Sequence, residues 1–291
     1  ADCAPEARKS TSLGLFLSAM PVGLALGYAG CGIFIEKLLS SATLFAALAL
    51  AGIFACWVCL ATSNRFSSSL IRNASGKAQA CELRVVNSSQ KLIARDDFVA
   101  LIVANVFWIG VVNALQYWGP TMLQELYAAS SEESGVTFGL VTFITGVVGV
   151  QAGGMITDLV MSRMPRTGQR LEARQRQSVL LGQCLLFALL ALLALTAMPW
   201  APGYKSYTGL LFTGSLLLQL GVTPVTEAIL ASAEGDGAHD LRALAMAALN
   251  VTDQALGAGP MVLLVGVVAD AFADRRWAVA ASAGFVVVPI L

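Results

Sequence analysis

Charged side chains are scarce in this sequence. Only 12% of its 291 residues are Asp, Glu, Lys or Arg, whereas a soluble domain usually carries about a quarter. This shortage excludes a water-soluble globule. The 18 basic and 18 acidic residues cancel in charge, and the basic ones are spread over several loops. We therefore expect no nucleic-acid partner.

Histidine is almost absent, and so are the residue patterns that enzymes need. The single histidine, His239, lies in a polar loop, and the sequence has no HExxH motif. Cys56 and Cys59 have CxxC spacing, but they lie in an apolar run, where free cysteine behaves as a small hydrophobe. We expect no enzyme activity, no catalytic residue, no metal site and no cofactor.

Long apolar runs dominate the rest of the chain, whose mean hydropathy is +0.73. Because the runs are continuously apolar and mostly exceed the ~20 residues that cross a bilayer, they predict transmembrane helices and not barrel strands. We expect an all-α, polytopic membrane protein with about eight transmembrane helices. The runs are 10–35, 38–64, 98–124, 134–157, 177–204, 206–226, 243–269, which contains only one charge, and 277–291, which is short.

The distribution of basic residues predicts the orientation. Fourteen of the 18 lie on alternate loops, so the positive-inside rule places the N-terminus and the polar loop 65–97 in the cytoplasm. This pattern does not distinguish a plasma membrane from an endolysosomal one. The chain begins without Met and its last run is short, so we expect a fragment whose partners include missing N-terminal helices of the same fold.

The loop 65–97 divides the apolar runs into two groups. We expect residues 1–64 to form the last two helices of an N-terminal bundle and 65–97 to form a cytoplasmic loop between bundles. We expect residues 98–291 to form a C-terminal six-helix bundle whose last helix is truncated.

Polar residues recur on one face of three of the runs. Such residues are costly in lipid and face either a cavity or a neighbouring helix, and for any single Asn or Gln the two readings are equally favoured. Asp253 is ionisable and mid-span, which favours a coupling or substrate-contacting role. The candidates are Asn105, Trp108, Asn113, Gln116, Gln219, Thr223, Glu227, Asn250, Asp253 and Gln254.

Small residues form stripes at helical spacing, which predicts close helix packing. The two stripes contain Gly23 and Gly27 in the first run, and Gly139, Gly146, Gly149 and Gly153 in the fourth. Two acids, Asp158 and Asp270, each follow a glycine by four residues at the end of a run. Together with Arg163, these acids resemble the loop signature of the major facilitator superfamily, and this resemblance implies a gate at the loop ends.

Several segments resemble the Spinster-like branch of the major facilitator superfamily. Residues 138–150 resemble that family's eighth helix, 19–28 its fifth and 266–270 the end of its eleventh. Tyr117-Trp118-Gly119-Pro120 resembles a break in the seventh helix, and a kink or break is expected there. The resemblance implies helices five to twelve of a twelve-helix transporter that works by alternating access.

The same resemblance implies a substrate. Family members export lysophospholipids or sphingoid phosphates, so the expected partners are the lipid bilayer and a lipid or other small-molecule substrate. Two alternatives stay open: a carrier of a polar solute such as a sugar or organic acid, and a transport-dead scaffold or receptor. The scaffold is considered because Gly214-Ser215 stands where the family carries a Gly-Glu pair.

Overall fold

The computed structural model describes residues 9–25, 27, 90, 92–163, 169–233, 238–271 and 276. Within these ranges the secondary structure is helical, which confirms the predicted all-α class. The predicted spans 38–64 and 277–291, and nearly all of the loop 65–97, lie outside the described residues. The proposed boundaries between bundles therefore stay predictions.

Seven α-helices are labelled in chain order. They are α1 (Lys9–Leu17), α2 (Asp96–Tyr127), α3 (Ser131–Ser162), α4 (Gln169–Ala197), α5 (Tyr204–Ser232), α6 (Ala238–Thr252) and α7 (Gly259–Ala271). After a turn at Ser18, helical residues continue α1 to Ala25. A π-helix, Asp253–Ala258, joins α6 to α7. Five helical segments in the described ranges are long and apolar enough to cross a membrane.

The turn between α2 and α3 shows how local sequence ends one span and starts the next. Ala128 adopts the left-handed conformation (φ 53°) directly after α2. The Ser130 hydroxyl then accepts a hydrogen bond of 3.1 Å from the Glu133 backbone N–H. This bond satisfies a donor that the first turn of a helix leaves open, and Glu132 and Glu133 complement the helix dipole.

Proline affects two of the predicted spans differently. Of the kink or break expected at 117–120, the break does not occur, because α2 continues through Pro120 to Tyr127. Neighbouring helices in a membrane bundle can satisfy the backbone groups that proline leaves free, and α5 likewise continues through Pro224. The run 177–204, by contrast, corresponds to one candidate span, Gln175–Trp200, that does not stay α-helical to its end. It ends as an α-helix at Ala197, and a 3₁₀ turn with Pro199 follows, since proline disfavours α conformation before it.

Helix α5 is the best-connected element of the described bundle. It packs against α3 and α4 and also contacts α1 and α2. Helix α1 lies mainly on α3, whereas α2 packs on the π-helix and α7. The apolar core contains Trp108, Phe138, Leu195, Tyr207 and Leu211, with a second cluster around Leu13, Phe98, Leu180 and Ile229.

The two ends of the described bundle differ in chemistry. One end, here called the basic end, carries Arg95, Arg163 and Arg176, and Arg95 donates a 2.6 Å hydrogen bond to the Ser232 carbonyl. The other, here called the aromatic end, is closed by Tyr127 and neighbouring aromatic rings. The Tyr127 hydroxyl donates to the Ala201 carbonyl at 2.8 Å. The loops next to these Arg residues are ones that the distribution of basic residues places on one side of the membrane, and the structure groups the Arg residues at one end of the bundle.

Candidate functional site

A hydrogen bond between side chains joins α2 to the π-helix inside the span. The Asn105 Nδ2 atom donates to Asp253 Oδ1 at 2.6 Å. Asn105 is buried and Asp253 is half-buried. The structure thus brings together one predicted residue from the third run and one from the seventh.

Asp253 is the first residue of the π-helix. A π-helix is rare, and it occurs frequently at functional sites because its extra residue re-aims the side chains around it. Gly257 lies in the same segment, where a Cβ atom would sit 3.1 Å from the Val106 carbonyl of α2. Glycine therefore allows a close approach to α2 here, and a larger residue would need a small shift of the backbone. The neighbouring candidates Asn250 and Gln254 are exposed, and their roles stay predictions.

A second polar region lies between α2, α3 and α5. Here the side chains of Gln116 and Gln219, both predicted candidates, line a cavity of about 20 Å³. The same cavity is lined by Thr142 and Thr145 of α3 and by Ser215 of α5. This volume is enough for one water-sized group.

Three other candidates are used in contacts between or within helices. The Thr223 hydroxyl donates to the Val150 carbonyl at 2.9 Å, which ties α5 to α3. Asn113 donates to the Ile109 carbonyl of its own helix at 2.9 Å. Trp108 is 1% exposed and packs onto Gly221, where no side chain would fit. These contacts give Thr223 and Trp108 clear packing roles.

Glu227 forms a polar cluster at the basic end. It is 5% exposed, and its carboxylate accepts one hydrogen bond from the Ser10 hydroxyl and another from the Arg176 guanidinium. The pair with Arg176 is an ion pair, so the buried charge is compensated. Glu227 therefore links α1, α4 and α5.

Asp158 holds the same first turn of α1 from the other side. It accepts hydrogen bonds from the backbone N–H groups of Ser10 (3.2 Å) and Thr11 (2.9 Å) and from the Thr11 hydroxyl (2.5 Å). A carboxylate at a helix N-terminus satisfies free donors and complements the helix dipole. Of the other predicted gate residues, Arg163 and Asp270 are exposed.

The glycine stripe of α3 faces both α1 and α5. A Cβ atom at Gly146 would collide with Pro21, and one at Gly153 would collide with the Leu220 backbone. At Gly149 it would lie 2.7 Å from the Gln219 Cβ, and Gly139 is buried. Around Gly23 and Gly27 no described atom lies within 4 Å of such a Cβ, so packing there stays a prediction.

Sequence reasoning missed several residues of these sites. Thr142 was not among the candidates, and Ser215 was noted only because Gly214-Ser215 stands where the family carries a Gly-Glu pair. A signal was present, because Ser215 and Gln219 are one helical turn apart and share a face. Ser10 and Arg176 gave no signal, since their partner Glu227 is 217 and 51 residues away in sequence. In the described ranges, no group of three or more acidic, Cys or His side chains could hold a metal ion.

Comparison with known proteins gives consistent matches. Three relatives from Arabidopsis thaliana carry the name "Probable sphingolipid transporter spinster homolog". Homolog 3 is 27% identical over 296 residues, covering 92% of this chain and 54% of the relative. Homolog 1 is 26% identical over 300 residues, covering 94% of this chain and 57% of the relative. The chain thus spans about half the length of the relatives that it matches. No solved structure matches significantly.

The family assignment rests on a match that covers most of the chain. The family model of the Major Facilitator Superfamily matches residues 1–259, which include the described helices α1 to α6 and the π-helix. The apolar spans and the Spinster relatives agree with this match. The chain is therefore an integral membrane protein that belongs to the Major Facilitator Superfamily, with similarity to the Spinster homologs.

Proposed function

We propose that this chain forms part of a transporter that works by alternating access and moves a sphingolipid-like amphiphile. The observation that carries the proposal is the acid Asp253, held by Asn105 within the membrane span. Retaining Asp at a helix centre costs about 2.5–3.5 kcal/mol on insertion. A purely structural anchor has no need of such a residue, whereas a coupled carrier does.

Asp253 is suited to a coupling or substrate-contacting role by its position. It lies where α6 changes into a π-helix, and this segment packs on α2. A local change in helical winding would move the carboxylate relative to Asn105. The acid can therefore exchange one partner for another, a proton or a cationic group of the substrate, as the helices rearrange.

The contacts that alternating access would break and remake lie at the basic end. Asp158 and Glu227 bind the first turn of α1 through charge-assisted hydrogen bonds. The sequence assigns α1 to a different bundle from α3 and α5. On that assignment these contacts hold the two bundles together at the basic end, and opening this end requires their release.

The substrate class is inferred from the relatives, whose printed names describe sphingolipid transporters. Lysophospholipids or sphingoid phosphates are the specific lipids we propose. A polar solute is the alternative, and the neutral polar lining of the cavity at Gln116 and Gln219 favours it. Because Gly214-Ser215 of α5 stands where the family carries a Gly-Glu pair, a transport-dead scaffold is a further outcome of the test.

The test is flux through proteoliposomes that contain the full-length protein. Radiolabelled sphingoid phosphate and lysophospholipid are compared with glucose and an organic acid, against protein-free liposomes. We expect lipid flux that falls with Asp253→Asn and persists with Asp97→Asn, a matched change at an exposed acid. Flux of only the solutes would replace the lipid proposal with the alternative. Absence of flux for all substrates, from protein that is folded, would support a scaffold.

A further inference from the structure

The cavity between α2, α3 and α5 is lined by uncharged side chains. Thr142, Thr145, Ser215, Gln116 and Gln219 provide its polar groups, and apolar side chains complete the wall. Among the residues that line it, none carries a charge. A volume of about 20 Å³ admits one water-sized group but no phosphate.

The hydrogen-bonding state of the lining points to a ligand. The Thr145 hydroxyl already donates to the Val141 carbonyl at 2.7 Å. By contrast, the side chains of Thr142, Ser215 and Gln219 have no hydrogen-bond partner among the residues that the structure describes. Polar groups inside a membrane protein are costly without a partner. Three such groups around one small cavity therefore indicate a partner that enters it.

The donors and acceptors of the lining define that partner. Threonine and serine hydroxyls donate and accept, and the glutamine amide does both through separate atoms. A hydroxyl group, which also donates and accepts, fits this set. An anionic oxygen would leave the acceptors of Thr142, Ser215 and Gln219 unmatched.

We propose that this cavity is a subsite for one hydroxyl group of the transported substrate. The subsite rests on the proposed transport function, and it locates the uncharged part of the substrate on α3 and α5. Charged groups of the substrate bind elsewhere. Two substrate classes carry such hydroxyls, sphingoid lipids and sugars, and the experiment distinguishes between them.

The experiment measures equilibrium binding to the purified full-length protein in detergent, so that it does not depend on transport. The probes are radiolabelled sphinganine, its 1-deoxy and 3-deoxy analogues, each of which lacks one hydroxyl, and glucose. Sphinganine should bind about tenfold more tightly than one of the two analogues, because one net hydrogen bond corresponds to about this factor. Thr142→Val and, independently, Ser215→Ala should reduce that preference to about twofold or less. Both changes nearly conserve shape.

Thr213→Val is the matched control. Thr213 lies in α5 and is exposed, and within the described ranges its hydroxyl bonds to the Gly209 carbonyl of its own helix, so its replacement should keep the tenfold preference. If both analogues bind wild type as tightly as sphinganine, or if both cavity variants keep the preference, the subsite is wrong. If only glucose binds and Thr142→Val weakens it, the subsite stands and the lipid proposal fails. If no probe binds folded protein, the subsite is rejected.

Discussion

The Asn105 amide donates a 2.6 Å hydrogen bond to the Asp253 carboxylate, and this bond connects the middle of α2 with the start of the π-helix. At this point Asp253, the residue of its span that costs the most free energy to insert into the membrane, meets a polar partner. Two roles are compatible with this contact: a fixed interhelical bond and a bond that exchanges during transport.

Replacing Asn105 by Leu should destabilise the protein by about 1–3 kcal/mol, since the Asp253 carboxylate loses its donor. The double variant Asn105→Leu, Asp253→Leu should recover part of this loss, because the unpaired acid is gone. Thermal unfolding in detergent measures both. The single variant Asp253→Leu completes the cycle, and a destabilisation of the double variant equal to the sum of the two single values would show that the two residues are not coupled.

Removing Arg176 should destabilise the basic end. Among the described residues, Glu227 would keep only Ser10 as a hydrogen-bond partner, and its side chain is 6% exposed, whereas that of Arg176 is 34% exposed. Because Arg176 is partly solvated, we expect a loss near or below the lower end of the about 3–5 kcal/mol seen for fully buried pairs. The measurement is the melting temperature of Arg176→Met against Arg163→Met, a change at an exposed arginine. A comparable shift in both would contradict a specific role for the pair.

Gly149→Leu should lower thermal stability much more than Leu140→Ala. A side chain at Gly149 would push against the Gln219 Cβ and the Leu216 carbonyl, whereas Leu140 is 57% exposed. Packing is a principal driving force for helix association in membranes. Both variants are compared by unfolding in detergent, and similar melting temperatures would argue against close packing of α3 on α5.

The predicted orientation is tested by cysteines placed at opposite ends of α3. In a background without native cysteines, Ser131→Cys should react with an impermeant thiol reagent added to intact cells, and Ser162→Cys should not. Both serines are exposed, so access to the reagent differs only by the side of the membrane. Labelling of Ser162→Cys alone would invert the topology.

The spans were predictable because an uncharged run of sufficient length has few structures available in lipid. The uncharged runs at 98–124, 134–157 and 206–226 each lie within an observed helix that extends a few residues further. The end of α4 at Ala197 was missed, since hydropathy does not register the backbone effect of Pro199. The change from α-helix to π-helix at Asp253 also cannot be recognised from the pattern of apolar residues.

Candidate residues were predictable individually but not as partners. The cost of polar groups in lipid pointed to Asn105, Asp253 and Glu227 without showing what each one binds. The Asn105–Asp253 bond joins residues 148 positions apart, and the contacts of Glu227 with α1 and α4 depend on how distant helices pack. Such pairings follow from tertiary structure, which spacing along one helix does not contain.

Whether Asp253 couples transport is tested most directly by the pH dependence of flux. Proteoliposomes with full-length wild type, Asp253→Asn or the control Asp97→Asn are compared from mildly acidic to mildly alkaline conditions with the lipid substrate. We expect a pH-dependent rate for wild type and Asp97→Asn, and a rate that no longer changes with pH for folded Asp253→Asn. An unchanged pH profile in Asp253→Asn would show that Asp253 is a structural residue and contradict this expectation.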